Sequence, residues 1–343
     1  MKKLNYLIVS VVILFFPFLS KAAVLYIDPA TGTFGPNERF IAKIKIDNQG
    51  ECVNAMDIGV TFSDNLKMID FTTGNSIINL WITKPDSSNM SKINLQKGFS
   101  FSGGIPGGYC GPISGDSGES NILGEAVFTT QTANEMQSAS SSLADVSFKS
   151  DPQVLLNDGK GTAAKVITRN AKISLVASKK PSPDEWNQRL RDDDVPPETF
   201  TIELDKNPNI YEGKYYIIFS TVDKQTGVDH YEVLEIEPGK QLSDDANKSI
   251  MDKIFGAKKP QWIVAQSPYV LEDQSLQSDI QVKAIDKAGN ERIVKYFPKE
   301  GEQPRSKRIS LLYPFMVILI IIIGTALIFF VYEAYKKYKK TRS

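Results

Sequence analysis

An apolar run at each end of the chain constrains what lies between more than any other feature. Residues 4–19 follow Lys2 and Lys3 as an almost unbroken apolar stretch and give way to Ser20, Lys21, Ala22 and Ala23. A basic start, a short apolar core and small residues at the −3 and −1 positions describe a secretory signal peptide over residues 1–22, cleaved after Ala22. The second run, residues 311–331, holds no charge and four successive isoleucines, Ile320 to Ile323. Roughly 20 apolar residues cross a bilayer core as a helix, so a transmembrane helix is expected over residues 309–332. Lys336, Lys337, Lys339, Lys340 and Arg342 follow it, against Arg305, Lys307 and Arg308 before it, which places the tail 333–343 in the cytoplasm. The expectation is a single-pass protein of the cell membrane with its N-terminal domains extracellular.

Composition then excludes several classes of function. The exported part has room for two domains. With 40 basic and 40 acidic residues interspersed, no basic face recommends nucleic acid. His230 is the single histidine, so a multi-histidine zinc site cannot form, and the alternating stretch 228–233 around it reads as a strand with a solvated imidazole. Cys52 and Cys110 both lie in the exported part, where an oxidising compartment favours a disulfide between an even pair. Closing that loop would contribute about 4 kcal/mol on chain-entropy grounds.

From residue 24 the chain alternates apolar and polar positions in short runs separated by turn residues. Segments 24–27, 40–46, 55–62, 66–71, 77–82, 97–102, 122–129, 144–149 and 171–176 read as eight or nine strands of an antiparallel jelly-roll or Greek-key sandwich, without a helical period. Residues 179–198 are rich in proline and charge and read as a linker, interrupted by Trp186 in one short helical turn. A second all-β unit follows over 199–298. Its segments 215–221 and 229–236 pair around Lys224, Gln225, Thr226 and Gly227, and 280–285 and 292–297 flank a five-residue hairpin connection, 286–290. Residues 299–308 form a charged spacer before the membrane.

Three segments carry a family resemblance. They are the opening Leu25, Tyr26, Ile27, Asp28, Pro29 with Thr31, Gly32, Thr33; then Val53, Asn54, Ala55 entering the strand 56–62; then Phe101, Ser102, Gly103, Gly104, Ile105, Pro106, Gly107, Gly108. In order and spacing, residues 23–178 resemble the cohesin family of bacterial cellulosome scaffolds. That resemblance implies a nine-stranded jelly-roll sandwich, similar to carbohydrate-binding modules, with one sheet face presented to a partner that is most often a calcium-loaded dockerin. Cys110 and the long loop to Asn121 depart from the pattern, and no partner-contact residue transfers. The turn 157–162 carries only Asp158 as a carboxylate and is no calcium loop of its own. The second unit looks like bacterial immunoglobulin-like modules, through Asp223, Lys224, Gly227, Val228, Asp229, Tyr231, Glu232, Val233 and through Val282, Lys283, Ala284, Asp286, Ala288, Gly289, Asn290. These hairpins read as a structural spacer in preference to a ligand contact.

Catalysis would have to rest on carboxylate pairs among Asp57, Asp64, Asp70, Asp116, Glu119 and Glu125, all expected to be solvated. Trp81 and Trp262 could form a sugar-stacking platform, but their apolar neighbours favour packing. The sequence thus predicts no enzyme, no cofactor and no metal site. It points to non-catalytic binding of an extracellular protein, dockerin-like, or of a polysaccharide. The alternatives are a tethered enzyme or accessory protein of polysaccharide catabolism, and a purely structural envelope protein.

Overall fold

The computed structural model describes residues 22–112, 120–138, 143–237 and 260–298. The expected membrane span and all but Ala22 of the expected signal peptide lie outside these, as do Asp116 and Glu119; no helix among the described residues is long and apolar enough to cross a membrane. A body comprising the chain up to Gln274 together with Asp279–Phe297 contains both β-units, and Ser275–Ser278 fall outside it.

The first unit is built from β1 (Ala23–Asp28), β2 (Thr31–Phe34), β3 (Arg39–Asp47), β4 (Val53–Phe62), β5 (Leu66–Thr72), β6 (Leu80–Thr83), α1 (Met90–Gln96), β7 (Gly98–Tyr109), β8 (Ile122–Thr130), α2 (Ala133–Ser138), β9 (Leu143–Phe148), β10 (Gln153–Leu156), β11 (Val166–Arg169) and β12 (Ala171–Leu175). One sheet has the strand order β11-β1-β3-β8-β5; the other runs β2-β12-β9-β4-β7-β6, with β10 also paired to β4. Their inner faces close a single core in which Phe71, Phe101 and Phe128 are fully buried. Alternation supplies that core: β4 buries Met56, Ile58, Val60 and Phe62 and turns Asp57 outward. The alternation slips between Val53 and Ala55, where a register shift against β7 marks a bulge.

β1, β3, β4, β5, β8, β9 and β12 stand within a residue or two of their expected positions, while β7, expected over 97–102, runs on to Tyr109. Beyond them the structure adds β2, β10, β11 and two short helices. Thr31–Phe34 contains a glycine and reads as a turn; it becomes a strand by parallel pairing with β12, a neighbour about 140 positions away in sequence. Met90–Gln96 buries only Ile93, so no apolar stripe announced a helix.

Residues 179–198 are more than a tether. Asp184 caps the helix α3 (Glu185–Asp192) by accepting the N–H of Asn187, as an N-cap aspartate should. Trp186 is buried against Ile41 and Val127, with Ile69 and Leu190 packed around it. The short helical turn expected at Trp186 is this helix, and what the polar composition of the segment did not show is that it lies on the outer face of the five-stranded sheet.

The second unit continues with β13 (Glu203–Lys206), β14 (Tyr215–Ile218), β15 (Val228–Ile236), β16 (Ile263–Ala265), β17 (Tyr269–Val270), β18 (Asp279–Asp286) and β19 (Glu291–Tyr296). Among the described residues these form a three-stranded sheet, β13-β14-β17, and a four-stranded sheet, β16-β15-β18-β19.

Candidate functional site

The two outer faces of the first sandwich have different fates. On the five-stranded sheet, α3 covers the outward side chains of β3 and β8, and this explains why β8 is buried along nearly its whole length. Glu125, expected to be solvated, is instead fully buried beneath α3. Arg189 reaches it at 3.0 Å, and Glu125 with Glu185 holds the guanidinium charged against the cost of burial. Arg39 pairs with Asp184 at 3.0 Å, and Glu38 accepts Lys179 Nζ at 2.9 Å. The chain occupies this face with its own residues.

The outer face of the seven-stranded sheet has no such cover among the described residues. Cross-strand register places Gln153, Asp57, Ser102 and Thr83 in one row across β10, β4, β7 and β6. Gly59 and Ser100 form the next row, and Thr61 stands opposite Gly98 and Ser147 beyond it. Small polar groups and glycines make a low surface, crossed at Gly59 by the Lys149 side chain and bordered on β6 by Leu80 and Ile82, exposed to 53% and 75%. Exposed apolar side chains beside a flat polar sheet are a common composition for a recognition surface.

Cys52 and Cys110 are joined, at the start of β4 and just past the end of β7. Val53 pairs with Tyr109 in the adjoining register, so the bridge closes one end of the open face. Of the remaining carboxylates, Asp57 and Asp64 are exposed and Asp70 pairs with Lys287 at 2.6 Å. Trp81 packs against Phe71 and Phe101 with ring centroids 6.2 and 6.0 Å apart. Trp262 lies half-buried under Lys283 Nζ, 4.5 Å from its centroid, far along the chain from Trp81 and on the other unit. His230 is partly exposed on β15 and pairs with Asp229 at 2.7 Å. In the turn 157–162 both oxygens of Asp158 are taken by Lys160 N and Thr162 Oγ1.

The turn 223–227 of the second unit abuts the end of β5. Thr72 Oγ1 donates to the carbonyl of Thr226, and Lys84 Nζ donates to that of Val228 at 3.0 Å. Burial, with Lys287's like charge beside it, pushes Lys84 down to about 8. Gly227 adopts φ +82°, and a Cβ there would stand 2.7 Å from Thr72 Oγ1 and 2.8 Å from the amide nitrogens of Thr73 and Gly74. Glycine is therefore needed twice at this junction, for backbone conformation and for approach. The same turn draws three carboxylates together, Asp193, Asp223 and Asp286, exposed to 6%, 3% and 2%. One ligand atom from each lies within 4.8 Å of the others. Asp223 and Asp286 stand in the two motifs that resemble immunoglobulin-like modules and Asp193 in the charged segment 179–198, and nothing in the sequence ties the three together.

No family model matches the chain, and no curated protein does. Among solved structures it is similar to the seventh ScaB type I cohesin of Pseudobacteroides cellulosolvens, at 13% identity and a TM-score of 0.34 over 47% of this chain and 96% of that one. A non-cellulosomal cohesin of the hyperthermophilic archaeon Archaeoglobus fulgidus aligns at 12% identity and a TM-score of 0.33, over 46% and 94%. The sixth cohesin of scaffoldin B from Acetivibrio cellulolyticus, solved with a Cel5 dockerin, aligns at 17% identity and 0.33, over 46% and 100%.

Proposed function

We propose that this chain is a non-catalytic recognition protein of the cell surface. Its first sandwich binds an extracellular protein partner through the outer face of the seven-stranded sheet. The second unit acts as the spacer, and the run at 309–332 as the membrane anchor. The observation that carries this reading is the unequal covering of the two sheets. One outer face is closed by α3, with Trp186 and the Glu125–Arg189 pair beneath it; the other keeps a flat row of Gln153, Asp57, Ser102 and Thr83 beside exposed Leu80 and Ile82. A protein docking there would bury Leu80 and Ile82 and displace the flexible Lys149 side chain that lies over Gly59. The membrane placement rests on the sequence alone.

The test uses soluble residues 23–298, immobilised and probed with dockerin-bearing proteins and, in parallel, with a glycan panel. Saturable binding to a dockerin that is lost in Ser102→Arg and Ile82→Asp, and retained in the distant surface variant Asp158→Asn, supports the reading. Binding to glycans alone, or dockerin binding that both face variants leave intact, overturns it.

A further inference from the structure

Buried carboxylates elsewhere in this chain come with a cation. Glu38 has Lys179 and Glu125 has Arg189. Asp193, Asp223 and Asp286 are as deeply buried, yet among the described residues no lysine, arginine or histidine pairs with any of them. Their neighbours in sequence are engaged elsewhere: Lys224 with Glu198, and Lys287 with Asp70 and Asp229. Three buried charges of one sign, with nothing opposite, are unstable unless something neutralises them.

The hydrogen bonds locate an unfilled position. Asp223 Oδ1 accepts the N–H groups of Gln225, Thr226 and Gly227, while Oδ2 of this 3%-exposed side chain accepts none among the described residues. Asp193 Oδ2 takes the backbone and hydroxyl of Thr226; Asp286 takes the backbone and side-chain amide of Asn290. The Asn290 side-chain amide also donates to the Asp193 carbonyl at 3.1 Å, tying the hairpin 286–290 to the end of α3.

We infer that Asp193, Asp223 and Asp286 bind a single divalent cation of the calcium type, which fastens α3, the turn 223–227 and the hairpin 286–290 into one junction. The chemistry selects the ion. Every donor is oxygen, and no thiolate or imidazole is present, which disfavours zinc and copper. Calcium–oxygen distances run about 2.3–2.6 Å, so ligands on opposite sides of the ion stand about 4.6–5.2 Å apart. One ligand atom from each carboxylate lies within 4.8 Å of the others, near enough for a single ion to touch all three. Magnesium demands a near-ideal octahedron, dehydrates reluctantly and usually keeps several waters, so a buried set of protein oxygens favours calcium. Because the same turn holds Thr72 and Gly74 of the first sandwich, occupancy would stiffen the connection between the two units.

The full chain in detergent, stripped with EDTA and exchanged into chelator-free buffer, is titrated with CaCl2 and separately with MgCl2, by calorimetry and thermal unfolding. One saturable calcium site is expected, with Tm rising by about 5–10 °C at a hundredfold excess over Kd. Magnesium should bind at least about tenfold more weakly. Asp223→Asn and Asp286→Asn should each weaken calcium binding by about tenfold or more, while Asp158→Asn binds as the parent does. Limited proteolysis within residues 179–198 should speed up on chelation. Absence of heat and of any Tm change up to about 10 mM CaCl2, roughly tenfold above the weakest extracellular calcium modules, overturns the inference. So does undiminished binding by both asparagine variants. Should those variants fail to fold, the unmodified chain's calcium titration decides the matter by itself.

Discussion

Glu38 offers the sharpest test of how the segment 179–198 is held to the first sandwich. Its side chain is buried to 1% exposure, and its carboxylate accepts Gly35 N at 2.5 Å, Ser182 N at 3.1 Å and Lys179 Nζ at 2.9 Å. Burial alone would raise its pKa, but the amide and ammonium donors outweigh burial and bring it from 4.5 to about 2. A difference of that size corresponds to about 3 kcal/mol of folding stability. Because the folded value lies below the unfolded one, the contribution is complete above about pH 5. It is lost as pH falls from 4.5 toward 2, where the folded protein must also take up the proton. Urea denaturation of residues 23–298, followed by tryptophan fluorescence at pH 7 and at about pH 3, measures both terms. Glu38→Gln should cost about 2–3 kcal/mol at pH 7 and should flatten the acid limb of the stability curve relative to the parent. A variant within about 0.5 kcal/mol of the parent at pH 7, or one with an unchanged acid limb, would refute the reasoning.

Two further outcomes follow from the junctions on either side of α3. Trp186→Ala should destabilise the fragment by about 3–5 kcal/mol and uncover Ile41 and Val127, read as a lower urea midpoint with increased binding of an apolar dye; an unchanged midpoint would mean α3 is not docked. Gly227→Ala should cost more than Gly159→Ala. Both glycines have positive φ, at +82° and +69°, worth about 1–2 kcal/mol each, but only at Gly227 would the new methyl meet Thr72 and Gly74; equal midpoints for the two variants would remove the collision from the account.

Much of the fold was legible because a half-buried strand writes itself as alternation. β3, β4, β5, β8 and β12 were marked by their buried residues, and the even pair of exported cysteines pointed to the bridge later found beside Val53 and Tyr109. The short elements left no such mark. Thr31–Phe34 and Val166–Arg169 are strands by virtue of their parallel partners, and Met90–Gln96 turns just one residue fully inward. The segment 179–198 showed its short helical turn in sequence but not its docking: its prolines and charges look solvated, yet a single tryptophan and a few well-placed charges suffice to hold it to the sheet.

The sequence by itself determined the β-rich class, since alternation and turn residues are local pattern and composition. Only the tertiary structure decided which charges are buried and what faces them. Glu125 meets Arg189 across 64 positions, and Asp193 meets Thr226 across 33. Alternation records that a side chain points outward from its sheet; it does not record what will pack over that side chain. Whether an outward carboxylate becomes a solvated charge, half of a buried pair or one arm of a cation site is settled by the element that covers it. For this chain, that covering also distinguishes the closed sheet face from the open one.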